Sequence, residues 1–478
     1  MKKTLIYTCI LSTSMLFSCN NFLDQLPDSR SPLNNKEQIA ELLTSAYPKA
    51  SYIGFCEVMS DNAGEASEGS FYDSNARAFA WSDNYQPDAY DSPQTYWSAC
   101  YAAIAVANQA LEAIPENDKL YNAQRGEALV ARAYSHFMLV NLFSKFYDQA
   151  TAGNDPGIPY LTKPDTKMLT KYDRKSVAYV YEMIEKDLVA GMPLIDNNEY
   201  KVPGFHFNRS ATYAFATRFY LFKKDYDNAL KYAQLAFPGN TIGDYMRPTK
   251  LYRSKDAAYI RENFTRASEP SNLLLGEAAS MWYRMNRAYT FGVNSEKISN
   301  IITGSNVNGA AWAISTYQVY GDGVKFAIKF REHFVTTSIG ATTGEPYIMA
   351  PLFVTDEVLF NRAEAKIYKQ DYDGALNDLN IFVAKNSNAT SPLTYQKIEN
   401  FYGSDLSKEQ GLLATLLDFK RVAFIHEGMR WFDNIRYNMP IEHVYYNGSR
   451  IQLATNDPRR IMQLPPEATL SGLELNPR

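Results

Sequence analysis

The feature that most constrains this chain is a nine-residue phrase that occurs twice. Phe222-Lys223-Lys224-Asp225-Tyr226-Asp227-Asn228-Ala229-Leu230 returns 146 positions later as Tyr368-Lys369-Gln370-Asp371-Tyr372-Asp373-Gly374-Ala375-Leu376. Each copy follows one apolar segment with helical spacing and precedes another. Small residues mark the first segment of each pair, Ala214 and Ala216 in one and Ala363 and Ala365 in the other. Small side chains let paired helices approach closely, and a Tyr after the turn plugs the corner between them.

This is the corner of a tetratricopeptide-like helix pair, and the separation of the two copies predicts hairpins with a long insertion between them rather than a contiguous array. Other segments fit the same scaffold. Residues 96–114 place Trp97, Tyr101, Ile104, Asn108 and Leu111 at helical spacing. Residues 125–146 are apolar nearly all round, as in a central buried helix, and 177–194 form a further amphipathic helix. Residues 238–351 are rich in Gly, Asn, Ser and Tyr with weaker periodicity, which predicts a loop-rich, irregular segment. The tail 459–478 carries Pro465-Pro466 and Asn476-Pro477, so it is expected to run extended. The fold class that follows is mainly α.

The N-terminus carries an export signal. Lys2 and Lys3 precede the short apolar stretch from Thr4 to Phe17, and Leu16-Phe17-Ser18-Cys19 has the layout of a lipoprotein cleavage site. The run is shorter than the ~20 apolar residues that span a bilayer. Residues 1–18 are therefore expected to be removed, leaving Cys19 to carry acyl chains. At ~0.8 kcal/mol per buried CH₂, two or more chains anchor a protein firmly. Loss of Lys2 and Lys3 takes the formal charge from −4 to −6. A mildly acidic chain without a basic run is not built for nucleic acid. Of the four cysteines, Cys9 leaves with the signal and Cys19 is lipidated. Cys56 and Cys100 either pair or stay as buried thiols.

Catalytic signatures are missing. His136, His206, His333, His426 and His443 are scattered, and no zinc-protease, Walker, nucleophile-elbow or dinucleotide pattern occurs. Paired glycosidase acids leave no local signature, so two facing carboxylates in a cleft are what a hydrolase reading requires. The chain is read as a non-enzyme with no cofactor beyond the lipid on Cys19. The loop from Asp83 to Asp91 gathers oxygen ligands but lacks the glycine and terminal glutamate of an EF-hand, so calcium is the lesser reading beside a solvated turn.

Six short motifs in order, behind the lipid signal, resemble the SusD/RagB family of nutrient-uptake lipoproteins of Bacteroidetes-type outer membranes. They are Cys19 to Pro27 with Phe22-Leu23-Asp24; Trp97, Tyr101, Ile104 and Asn108; Glu127 to Phe143; Gly157 to Leu161; His426 to Arg436; and Leu464 to Pro477. One departure is that Asn20-Asn21 puts no acidic residue directly after the cysteine. The resemblance implies a helical scaffold of tetratricopeptide-like units with a loop-rich binding half. It divides the chain into the signal 1–18, a lipidated tether 19–36, an N-terminal half 37–237 and a C-terminal half 238–478 that includes the variable region 238–351. It implies a protein lipid-anchored in the outer membrane at the cell surface. Its partner there is a SusC/RagA-type TonB-dependent transporter, to which it delivers captured oligosaccharide. A peptide-capturing member of the family and a helical-repeat assembly scaffold without small ligand are the alternatives.

A sugar presents an apolar C–H face that stacks on Trp or Tyr while its hydroxyls seek polar side chains. Tyr72, Asp73, Trp81, Tyr85 and Tyr90 in one loop zone, and Trp282, Tyr283, Tyr289 and Trp312 in the variable segment, are the expected ligand-binding residues. On this reading Trp282 and Trp312 carry binding rather than stability. Trp97 and Trp431 fall inside helix motifs and are expected in the core. The same rings also suit a transporter interface, because Tyr, Trp and Arg dominate interface hot spots.

Overall fold

The computed structural model describes residue 33 and residues 35–164, 170–319 and 324–478. The expected signal 1–18, the lipidation site Cys19 and most of the tether 19–36 lie outside the described residues.

The main helices begin where the sequence supplies a cap. Ser92 accepts from the Thr95 N–H at 3.1 Å with Pro93 in the first turn, and starts α1 (Pro93–Ala113). The helix α2 (Asn122–Phe143) is buried on almost every side, in keeping with its apolar composition. Ser176 caps α3 (Val177–Gly191), and Asn208 caps α4 (Arg209–Phe222) through the Ala211 N–H at 3.0 Å. Asp225 starts α5 (Tyr226–Ala236) through Asn228 N–H at 3.1 Å. The same aspartate in the second copy, Asp371, follows α6 (Thr355–Tyr368) and starts α7 (Tyr372–Asn386) through Gly374 N–H at 3.0 Å. A full capping box between Ser407 and Gln410 opens α8 (Lys408–Ala423).

The two copies of the repeat have the same turn. Lys224 and Gln370 both take the left-handed conformation at φ 63°. The hairpins α4–α5 and α6–α7 are neighbours in space despite the insertion. Tyr226 stacks on Tyr368 with centroids 4.6 Å apart and planes 12° from parallel, and Lys369 Nζ lies 2.8 Å from Asp227 Oδ1. Deeper in, Arg218 of α4 donates two hydrogen bonds to Glu357 of α6, at 2.5 Å each, and a third to the Leu352 carbonyl at 2.7 Å. Both members are almost fully buried, so each charge depends on the other. A similar fork joins α2 to α3, where Arg132 meets Asp187 at 2.7 and 2.8 Å and Asn108 of α1 at 2.8 Å.

Besides short helices and turns, the insertion holds an antiparallel sheet of three strands in the order β1–β3–β2: β1 (Asn272–Ala279), β2 (Glu332–Thr336) and β3 (Gly344–Val354). Gly276 faces Ala350, and His333 faces Tyr347. The segment read as irregular therefore contains regular strands. Leu273, Leu274 and Leu275 are all buried, so β1 lacks the alternation that announces a half-exposed strand.

The main hydrophobic cluster runs from Ile39 to Leu473 and takes residues from both expected halves, and a smaller one gathers Tyr252, Ile260, Phe264, Phe326 and Ile328. Trp97 and Trp431 belong to it, as expected. Cys56 and Cys100 are buried free thiols, which settles the open alternative against a disulfide. Gly428 has φ +71°, and a Cβ there would stand 3.0 Å from the Ile53 backbone, so only glycine fits the start of the Met429–Arg436 helix. The tail has no α-helix, but 3₁₀ turns at Pro458–Arg460 and Pro466–Ser471 interrupt its extended course. Asn476 ties the tail to the end of α2 through the Phe143 carbonyl at 3.0 Å. Among the described residues no helix is long and apolar enough to cross a membrane.

Candidate functional site

An aromatic patch forms where the loop around residues 66–92 meets the segment after Trp282. The two backbones run side by side. Ala66 N–H donates to the Thr290 carbonyl at 2.8 Å, and Thr290 N–H donates to the Ser70 carbonyl at 3.1 Å. Gly69 permits this approach, since a Cβ there would meet Thr290 N at 2.6 Å. Phe71 and Tyr72 are thereby set beside Tyr289 and Phe291. Tyr72 meets Tyr289 edge-on, with centroids 5.8 Å apart and planes at 77°, and Phe71 meets Phe291 at 6.5 Å and 76°. Phe71 is 68% exposed, while Tyr72 and Tyr289 are half-buried.

Polar groups rim these rings. The Tyr72 hydroxyl donates to the Tyr90 carbonyl at 3.2 Å, and the Tyr90 hydroxyl donates to the Glu345 carboxylate on β3. Asp73 Oδ2 accepts from Arg77 Nε at 2.7 Å and from the Gln86 amide. Tyr85, 39% exposed, donates to Asp83 Oδ2 at 3.1 Å, and Arg478 Nε lies 2.7 Å from Asp83 Oδ1. Burial pushes the Tyr72 hydroxyl up to about 12, and burial with the Asp83 charge does the same for Tyr85. Both stay protonated near neutrality, each giving its one hydrogen to the partner just named and keeping lone pairs that can accept. Tyr283 is half-buried on the Trp282–Ala288 helix, with the Arg261 guanidinium 5.8 Å from its ring centre.

Beneath the patch, Asp91 is buried in a left-handed conformation. Its carboxyl accepts from Ser280 Oγ at 2.6 Å and from the Met281 N–H at 2.8 Å. Burial outweighs these bonds and raises its pKa to about 7. The oxygen ligands of the 83–91 loop are thus turned to different partners, and among the described residues no three metal-ligating side chains come together.

The tryptophans correct the expectation drawn from sequence. Trp81 is 3% exposed, stacks on His443 at 4.3 Å and donates Nε1–H to the Met59 carbonyl at 2.9 Å. Trp282 is fully buried and donates to the His426 carbonyl at 2.8 Å. Trp312 packs against Phe419 and Phe382, with centroids 5.1 and 5.8 Å away. All three are buried in polar-looking sequence, and of them Trp312 lines a cleft of about 280 Å³ beside α8. Sequence reasoning also missed Phe71, Gln86 and Glu345. Phe71 adjoins Tyr72, so an aromatic pair at a Gly-Ser turn was the available signal. Glu345 lies 255 residues from Tyr90, and nothing local connects them.

Residues 21–221 match the SusD-like_3 family model, described as "Starch-binding associating with outer membrane". The fold is similar to several solved structures. A putative sugar binding protein from Bacteroides vulgatus is 20% identical with a TM-score of 0.69, the match covering 94% of this chain and 99% of that one. A SusD superfamily protein from Bacteroides thetaiotaomicron is 18% identical with a TM-score of 0.68, covering 93% and 100%. A SusD-like carbohydrate binding protein from Bacteroides vulgatus is 15% identical with a TM-score of 0.66, covering 92% and 97%. No curated protein matches the chain.

Proposed function

We propose that this chain, a member of the SusD/RagB-type family, captures oligosaccharide on the patch built from Phe71, Tyr72, Tyr85, Tyr90, Tyr283 and Tyr289, with Asp73 among its polar contacts. The observation that carries this reading is the mixture at one surface. Phe71 and Tyr85 are exposed and Tyr72 and Tyr289 half-buried, and carboxylates, amides and protonated hydroxyls stand beside them. Covering one such face removes ~50–100 Å² from water, worth ~1–2 kcal/mol. Two or three faces with a few hydrogen bonds give modest affinity, which suits a protein that must release its cargo. Binding without catalysis agrees with the descriptions of the family and of its sugar-binding relatives.

In this reading the acylated Cys19 holds the protein on the outer membrane at the cell surface. The captured chain passes to a SusC/RagA-type TonB-dependent transporter, which the protein covers as a lid. The test is isothermal calorimetry of the full chain in a detergent without sugar headgroups, against a panel of neutral oligosaccharides that includes starch fragments and against peptides of similar size. Binding of at least one oligosaccharide, lost in Tyr72→Ala, supports the reading. Binding of peptides alone would replace it with the peptide-capturing alternative.

A further inference from the structure

A second cleft, of about 280 Å³, lies between the 296–307 segment and α8 and shares no residue with the aromatic patch. One wall, Ser299–Thr303, is wound as a π-helix, a rare form that concentrates at functional sites. Gly304 closes tightly on that turn, since a Cβ there would stand 2.5 Å from the Asn300 carbonyl oxygen.

Two cations, Lys297 and Arg421, line the cleft together with the carboxylates of Glu296 and Asp418. Lys297 Nζ and Arg421 Nη2 each donate to the same atom, the Asp61 carbonyl oxygen, at 3.0 Å, so the two nitrogens are no more than twice that distance apart. The Asp61 carboxylate is already gripped by Arg430 at 2.7 and 2.8 Å and stands 3.8 Å from Arg421. Three cations thus gather around Asp61. Burial and the neighbouring Arg421 charge hold the Lys297 ammonium below its ordinary range, against the pull of Asp61, Glu296 and Glu442. The nearby Glu57 carboxyl is buried and accepts from the Asn62 amide and the His426 and Gly428 N–H groups. Glu296 and Asp418 line the exposed rim, and Asp418 accepts from the Tyr402 hydroxyl at 2.5 Å. Donors remain for a ligand. Lys297 uses one of its three N–H groups on Asp61, and Arg421 uses Nε on Asn62 and Nη2 on Asp61, leaving Nη1 outside these bonds.

We propose that this cleft binds a single uronate, an acidic sugar ring, with Lys297 and Arg421 receiving its carboxylate and Asn300, Ser305 and Asn306 its hydroxyls. The volume is at the small end for ligand pockets, which suits one ring rather than a chain. The site does not depend on the patch reading.

The test is calorimetry of the full chain, in a detergent without sugar headgroups and at low salt, with glucuronate, glucose and sulfate. Glucuronate should bind, and glucose should bind about 10-fold more weakly or not at all, because charged hydrogen bonds supply the difference. Lys297→Gln, which keeps the donor to Asp61, should weaken glucuronate by about 10-fold. Asn300→Glu adds a repelling charge at an exposed position where misfolding is not expected, and should weaken it similarly; it decides the matter if Lys297→Gln fails to fold. Equal binding of glucose and glucuronate, or unchanged glucuronate affinity in folded Asn300→Glu, would overturn the proposal. Sulfate binding as tight as glucuronate would overturn the sugar assignment by showing a site for any small anion.

Discussion

The hairpin stack and the aromatic patch use the same side chain in opposite ways. In the stack, tyrosines lie face to face. Tyr226 and Tyr368 are 12° from parallel, and Tyr220 and Tyr232 are 9° from parallel at 5.4 Å. Each ring spends a face on its partner, and the pair belongs to the packing. In the patch, Tyr72 meets Tyr289 at 77° and Phe71 meets Phe291 at 76°, so in each pair one ring offers only its edge, and Phe71 stays 68% exposed. A chain with 35 tyrosines therefore cannot be read from its tyrosine count. Buried pairs such as Tyr134 and Phe215 also meet edge-on, at 89°, so it is exposure, 68% at Phe71 against 3% at Tyr220, that separates surface from scaffold.

Substitutions that act on one region and spare the other sharpen this contrast. The largest effects belong in the scaffold. Trp282→Ala should cost about 3–5 kcal/mol by urea unfolding, since it removes a buried aromatic ring. A variant of unchanged stability would return Trp282 to the surface and break the contrast. Arg218→Ala should cost a similar ~3–5 kcal/mol, because it strands the Glu357 carboxylate in the core. A loss of only ~1 kcal/mol or less, typical of exposed ion pairs, would contradict the buried fork.

Asp91 gives the next effect, and it depends on pH. Its folded pKa of about 7 lies above the unfolded value of ~4, so its neutral form favours the native state. That contribution is full below the unfolded pKa and is lost as pH rises through the folded one. The swing is roughly 2–4 kcal/mol. Asparagine also tolerates the left-handed backbone and can satisfy Ser280 and Met281. Thermal melts from pH 4 to 8 should show wild-type stability falling relative to Asp91→Asn; parallel curves would mean that Asp91 titrates normally. The smallest effect is Tyr226→Leu, which should lose only the ~0.5–1.5 kcal/mol of ring stacking with Tyr368 beyond area burial. A larger loss in guanidinium unfolding would show that this corner carries more of the scaffold than one ring pair.

Much of the scaffold was legible in the sequence because its determinants are local. Asp225 and Asp371 cap the second helix of each hairpin, Ser407 and Gln410 form a capping box, and apolar spacing marks α1 to α3. The spatial contact between the two repeat copies was not legible, since it depends on where the insertion returns the chain. The sheet escaped because Leu273 to Leu275 are buried without alternation. The exposure of the aromatics was half legible. Tyr85 is exposed and Tyr72 and Tyr90 half-buried in a polar loop, but Trp282 and Trp312 sit in equally polar sequence and are buried. Their burial is decided by partners far along the chain, the His426 carbonyl for one and Phe382 and Phe419 for the other.

The most direct test of this division is one calorimetric titration of a bound oligosaccharide, run in parallel on Tyr72→Ala/Tyr289→Ala and on Trp282→Phe, with melting temperatures measured on the same samples. The double patch variant should lose binding by about 10-fold or more, as two ring faces at ~1–2 kcal/mol each imply, and melt close to wild type. Trp282→Phe should keep its affinity and melt lower. Intact binding in the patch variant together with lost binding in a well-folded Trp282→Phe would contradict the account.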